Sequence, residues 1–483
     1  MLNQSKKIWF LALSLIFIIL NGYFVIQEKF EFLFLPFLLL IIYLALFKMD
    51  TLIKIVVFLT PLSVSLSEIK GGSAIDMALP TEPILFGLML IFIIKLFKDG
   101  KFDSKLIRHP VTIAILINLG WVAFTCIPSV HPIISVKFLL GRIWFLVGFY
   151  FIISQLFKNK KNIAQFFWLY IGGFALVIAY TIAMHSTNGF DQESANWIMG
   201  PFFNDHTSYG AAIVFLMPFL VFKLFDKQIL GTRKLLVLLL LGYFVLALIL
   251  SYTRAAWVSV LGSFLVFLVL KFKIKWWVIT MGVVFSAVVL IGLWSQINAT
   301  MEGNKQDSSS NLKEHVSSIS NVTSDASNLE RLNRWSSAYE MFKKRPIFGW
   351  GPGVYAFEYA PFQKSKDKTI ISTNTGDGGN AHSEYLGPLA ESGIIGSLSF
   401  LLVLLSIIYT AVKVYKKPTL SQNMKTLVLV SFLGLVSYFI HGVLNNFLDT
   451  DKISCLFWGM TAIIVVVDVY HSDESKTSET KIS

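Results

Sequence analysis

The feature that most constrains this chain is a succession of long apolar stretches joined by short connections. They lie near residues 8–27, 30–47, 51–66, 83–97, 110–128, 135–157, 164–184, 207–225, 235–252, 255–271, 276–294, 394–415, 426–441 and 453–470. About 20 consecutive apolar residues carry an α-helix across a bilayer. So many stretches fit into 483 residues because 55% of the chain is hydrophobic and 14% charged, against roughly a quarter charged in a soluble domain. The pattern predicts an all-α polytopic membrane protein of about 14 transmembrane helices, with a lower bound of about 12 because 51–66 and 83–97 are short. It excludes a disordered chain, a disulfide-stapled secreted domain and a cytosolic enzyme.

The net charge of +12 is a topology signal rather than a nucleic-acid footprint, because Lys and Arg sit mostly in short connections between apolar runs. With the N-terminus inside, those connections carry Lys48, Lys98, Lys158, Lys227, Lys273 and Lys416 on one side, as the positive-inside rule demands. Both termini are therefore expected in the cytoplasm. The Lys6-Lys7 pair precedes an apolar run with no small-residue cleavage site, which reads as a retained first span. Cys126 and Cys455 exclude an iron–sulfur cluster or a thiolate zinc site, and as residues near outer helix ends they leave one bridge open.

One connection breaks the pattern. About 100 residues separate Trp294 from Ile394, far beyond the usual handful. The chain divides accordingly into an N-terminal bundle of about 11 helices over 1–294, a large outward loop over 295–393, the last three helices over 394–470 and a polar tail over 471–483. Gly303–Asn328 is rich in Ser, Asn and Asp and reads as a flexible flap. Beyond it Leu329, Leu332, Trp335, Tyr339 and Phe342 share a helical face, Ser327 and Glu330 suit a capping box, and Pro346 ends an amphipathic helix expected to lie on the membrane surface near 329–344.

The residues able to carry chemistry gather on the outward side. Arg142 lies inside the span 135–157, where a guanidinium is expensive unless paired or wet; it is either a functional group or a structural anchor. Arg254 stands at a tight junction between two spans and could equally snorkel to head groups. Arg331 and Arg334 are three residues apart on the loop helix, suited to holding phosphate oxygens or to forming a solvated face. His382, followed by Glu384, is a candidate general base; otherwise it is a hydrogen-bonded loop residue. His206 and His441 are weaker candidates near helix ends, and His315 falls in the flap. No metal site is assigned: His-x-Glu lacks ligand spacing, and Asp449-Thr450-Asp451 has the metal-holding Asp-x-Asp form but lies where nucleotide sugars are absent. Gly349–Gly353 lacks the strand and Gly-Lys-Ser/Thr of a phosphate loop and reads as a turn.

The block Glu330-Arg331-x-x-x-Trp335, then Lys344-Arg345-Pro346-Ile347-Phe348-Gly349-Trp350-Gly351-Pro352-Gly353, then Ala381-His382-Ser383-Glu384-Tyr385-Leu386, and finally Ala390-Glu391-Ser392-Gly393-Ile394-Ile395-Gly396, resembles the signature of the bacterial O-antigen ligase and polymerase family. The Thr253-Arg254 junction is similar too, while Ser383 departs from the Asn often found after the His. The resemblance implies a GT-C-like glycosyltransferase of the bacterial inner membrane with a large periplasmic loop. Such an enzyme moves a glycan from a polyprenyl-diphosphate-linked donor to a hydroxyl acceptor at the periplasmic face, without cofactor, metal or nucleotide sugar. Carried over, His382 matches the catalytic histidine, and Arg254 and Arg331 match the diphosphate-contacting arginines, with Arg334 an adjacent alternative; Arg142, Glu384, Trp335 and His206 are possible supporting residues. The implied partners are donor, glycan or glycolipid acceptor and membrane lipids. The alternative from another class is a transporter or flippase for lipid-linked oligosaccharide, against which stand the long loop and the lack of two similar halves with broken central spans.

Overall fold

The computed structural model describes residues 4–66, 77–100, 102–275, 281, 326–364, 368, 372 and 379–472. The apolar stretch near 276–294 apart from Met281, the flap residues 303–325 with His315, and the tail 473–483 lie outside the described residues. The chain divides into two units, Met1–Ile55 and Val56–Ser483.

The first unit holds α1 (Gln4–Ile26) and α2 (Leu35–Phe47). Phe17 and Phe24 pack on Phe32, with ring centroids 5.5 and 5.2 Å apart. α3 (Met49–Leu59) runs across the boundary.

The second unit is a helical bundle. The expected span 51–66 stops at Leu59, because Pro61 has no N–H to continue the ladder. The chain then forms a two-residue ribbon, β1 (Val64–Ser65) antiparallel to β2 (Ala78–Leu79), Val64 opposite Leu79. There follow α4 (Thr81–Asp99), α5 (Pro110–Thr125), α6 (Pro132–Leu156), α7 (Lys161–Thr187), α8 (His206–Leu224), α9 (Thr232–Leu250) and α10 (Arg254–Lys271). Local chemistry sets several starts: Pro110 and Pro132 occupy first helical positions, and the ring Nδ1 of His109 accepts the Val111 N–H at 3.2 Å. α11 (Ala326–Lys344), α12 (Leu386–Tyr415), α13 (Gln422–Leu444) and α14 (Asp451–Tyr470) complete the order.

Among the described residues, eight helices are long and apolar enough to cross a membrane: α6 to α10 and α12 to α14. α14 is apolar all round and is the most enclosed, with 83% of its apolar window buried, followed by α13 at 78%. A buried charged pair inside the bundle is held by hydrogen bonds, which offset its desolvation. Asp451 accepts from Ser63 and Thr81 at 2.6 Å each, and Lys452 Nζ donates to Ser63 Oγ at 2.8 Å. Both cysteines are free thiols, so the open disulfide is absent; Cys126 donates to Val122 O at 3.3 Å.

α11 packs on the rest of the protein through its polar face. Its buried side is Glu330, Asn333, Arg334, Ser337, Ala338 and Met341, whereas Leu329, Leu332, Trp335 and Phe342 are half-buried and Tyr339 is exposed. The helix turns its polar face inward because that face has partners: Glu330 takes bonds from Arg334, Asn333 and Ser372, and Asn333 donates to Gln363 Oε1 at 2.8 Å. The side chain of Ser327, the expected capping partner, lies outside the described residues.

The Gly349–Gly353 run is more than a turn. Trp350 N–H donates to Ala390 O (3.1 Å), Gly351 N–H to Glu391 O (2.8 Å) and Ile394 N–H to Pro346 O (2.9 Å), so the strap 346–353 docks backbone to backbone on the start of α12. Gly349 and Gly393 have φ of +67° and +69°, and a Cβ at either would stand 2.3 and 2.1 Å from a facing carbonyl oxygen. Gly393 also kinks α12.

Candidate functional site

The site assembles at the end of the bundle where α8, α10 and α11 begin and α13 ends. Asp205 caps α8: its Oδ1 accepts the Ser208 N–H at 2.7 Å and the Thr207 hydroxyl at 2.8 Å. Thr253, at the cap position of α10, donates its hydroxyl to His206 O at 2.7 Å and so ties the start of α10 to the start of α8. That contact brings Arg254, the first residue of α10, to the start of α8 at His206. Arg331 reaches the site from α11, its Nε donating to Leu444 O at the end of α13 (3.2 Å). Arg254 and Arg331 lie within electrostatic reach of each other, and Asp205 acts on Arg331. Burial pushes the Arg331 guanidinium below its ordinary range while Asp205 opposes the shift.

His382 faces the same group. Its backbone has φ +48°, a left-handed conformation that is strained for a non-glycine residue and costs about 1–3 kcal/mol. Two bonds hold it there: the His382 N–H donates to Asn380 Oδ1 (3.0 Å), and the Trp335 indole donates to His382 O (3.2 Å). Burial, then the neighbouring Arg331 and Arg334 charges, lower the imidazole pKa to about 4, with Asp205 and Glu330 pulling the other way. The ring is therefore neutral at pH 7 and can accept a proton. His441, fully buried and 3.2 Å from Asn445 Nδ2, has Asp205, Arg331 and His206 as its charged neighbours.

Arg254, Arg331, His382 and His206 are thus brought together, with Trp335 behind them. Arg334 differs from Arg331: its Nε donates to Glu330 at 2.6 Å and its guanidinium stacks 4.0 Å from the Tyr359 ring. Glu384 and Arg142 belong to a second group. Glu384 Oε1 accepts from the Tyr438 hydroxyl (2.5 Å) and from the N–H groups of Phe447 and Leu448 (2.8 Å each), which pins the loop between α13 and α14. Burial raises its carboxyl above the ordinary range. Ser383, the departure from the family pattern, accepts the N–H groups of Tyr385 and Leu386 at 3.3 and 3.4 Å, so its position supports the start of α12. Asp449 and Asp451 do not share a site: Asp449 is exposed, while Asp451 is 2% exposed and bonded to Ser63 and Thr81.

Sequence reasoning missed Asp205 and Asn380. The Asp205-x-x-Ser208 spacing was a legible cap signal, but a cap says nothing about which charges it will face in space.

A relative in Haemophilus influenzae, itself described as an uncharacterized protein, is 24% identical over 184 residues, which is 38% of this chain and 45% of that protein. The chain therefore spans less than half the length of this curated relative. Residues 235–401, which include Arg254, Arg331 and His382, match the family model described as O-antigen ligase. That match agrees, over this part of the chain, with the resemblance carried by the sequence motifs.

Proposed function

We propose that the protein transfers a glycan from a polyprenyl-diphosphate-linked donor to a hydroxyl of a glycan or glycolipid acceptor, at the periplasmic face of the bacterial inner membrane. The observation that carries this reading is the convergence of Arg254 and Arg331 with a neutral His382 at one end of an apolar bundle. The acceptor oxygen attacks the anomeric carbon as the bond from that carbon to phosphate oxygen breaks, inverting the centre. His382 takes the hydroxyl proton. The leaving lipid diphosphate gains negative charge, which the two preorganised guanidinium groups stabilise in place of a metal ion. Bound diphosphate also offsets the arginine charges that lower the His382 pKa, so the base strengthens when the donor is in place. The short apolar helices and the stretch near 276–294 complete the proposed set of about 14 crossings, both termini being cytoplasmic and the long loop periplasmic.

The test is reconstitution of the purified protein in lipid with a polyprenyl-diphosphate-linked oligosaccharide and acceptors offered singly. Transfer with release of lipid diphosphate is expected, and His382→Ala should reduce it by about 10²–10⁴-fold while the protein stays inserted and monodisperse. A lipid A core acceptor identifies a ligase, and a second lipid-linked repeat identifies a polymerase. Movement of labelled donor across the bilayer without consumption by any acceptor would replace this reading with a transporter.

A further inference from the structure

Behind the His382 strand lies a second polar compartment that the transfer chemistry does not use. It is a cavity of about 230 Å³ between α6, the strap, α12 and the loop joining α13 to α14. Its volume is close to that of about eight waters and falls below the roughly 300–1,000 Å³ of pockets for drug-sized ligands, so it accommodates one small ring. Ala381 and Ser383, the residues on either side of His382, form part of its wall.

The chemistry of the lining is mixed. Arg142 enters from α6, its guanidinium carbon 5.3 Å from the Phe138 ring, and its field reaches Glu384 and Asp449. Glu391 accepts the Tyr355 N–H at 3.0 Å and Glu384 is held by backbone, which leaves exposed Asp449 as the most accessible carboxylate of the lining. Asn446 Oδ1 is buried in the wall with no hydrogen-bond partner among the described residues. A buried acceptor without a donor is unfavourable by about 1–3 kcal/mol, which a ligand hydroxyl relieves. A metal ion is a poor occupant, because a permanent guanidinium shares the space. An anionic occupant is poorly served as well, because among the described lining residues Arg142 is the one cation and three carboxyl groups share the space with it.

We propose that this cavity is a saccharide subsite that takes one uncharged, hydroxyl-rich sugar ring, whose hydroxyls donate to Asp449 and Asn446 while Arg142 donates to its oxygens and Phe138 covers an apolar face. This rests on the glycan-transfer reading and extends it: the ring belongs either to the donor glycan or to the acceptor, and the compartment next to the base selects it.

Two measurements on the full chain in lipid nanodiscs test the subsite. Saturation-transfer NMR with a free neutral oligosaccharide should show contact with the wild type, at least threefold weaker contact for a hexuronate, and loss of contact in Ala356→Phe, which fills the cavity from its wall. In turnover assays, Asp449→Asn should raise the KM of one substrate at least tenfold; a donor effect assigns the ring to the donor, an acceptor effect to the acceptor. Equal NMR contact in wild type and Ala356→Phe, or unchanged KM values for both substrates in Asp449→Asn, would overturn the proposal. Turnover failing in the wild type while NMR contact follows the expected pattern sinks the transfer reading and leaves the saccharide site standing.

Discussion

His382 shows what one residue position can encode. Its left-handed backbone, the Asn380 side chain in front of it and the Trp335 indole behind it fix where the imidazole points. Trp335→Phe removes only the indole donor, and we expect kcat to fall about tenfold, equivalent to ~1.4 kcal/mol, with little change in thermal stability; stopped-time transfer assays and a melting curve check both. The electrostatics predict a pH profile. Because burial and two arginines hold the imidazole near 4 in the free protein, kcat/KM should stay high down to acidic pH and fall as the ring protonates near that value. Arg331→Gln removes one of those charges, so its residual activity should show an acid limb displaced to higher pH, whereas Arg331→Lys keeps the charge and should keep the limb. Profiles that coincide for Gln and Lys would contradict this account of the pKa. Motif and residue chemistry singled out His382 and Arg331, which the fold brings together, but gave no sign that Arg334 would be engaged by Glu330 and Tyr359. Residues three apart on a helix point within about 60° of each other, and spacing alone does not reveal which of the two meets Glu330 and Tyr359.

At the scale of elements, the sequence identified the loop helix and its end but not the polar face by which it packs on the protein. Apolar periodicity marks the buried side only when burial is driven by apolar contact. In α11 the enclosed face is polar, satisfied by Glu330, Asn333 and their partners, and the apolar stripe is left half-buried. The glycine-rich strap likewise read as a turn because pairing between Gly349–Gly353 and the start of α12 is carried by main-chain groups that no side-chain pattern reports. Gly349→Ala should break this docking: the new Cβ meets the Glu391 carbonyl, and the positive φ adds strain of about 1–2 kcal/mol. We expect a lower melting temperature and loss of activity, while Lys343→Ala, an exposed change near the end of α11 just before the strap, leaves both near wild type. Equal behaviour of the two variants would deny the strap its role.

Across the whole molecule, the bundle was readable and its polar interior was not. Apolar stretches foretold α6 to α10 and α12 to α14 because lipid and helix lengths are matched, whereas pairing of Asp451 with Ser63 and Thr81 joins residues nearly 400 positions apart in sequence. Lys452 Nζ also lies 3.2 Å from Asp451 Oδ1, so Asp451→Ala leaves a buried ammonium without its counter-charge and should destabilise the fold by about 3–5 kcal/mol, read as a large drop in melting temperature in detergent. The wall between the two compartments has a last consequence. Residues 380–384 serve both sides at once, but Arg142, Asn446 and Asp449 come from outside the matched 235–401 segment. Under the glycan-transfer reading and the proposed subsite, changing which saccharide is selected is a task for α6 and the α13–α14 loop, and grafts confined to those two pieces should alter substrate choice while leaving Arg254, Arg331 and His382 in place.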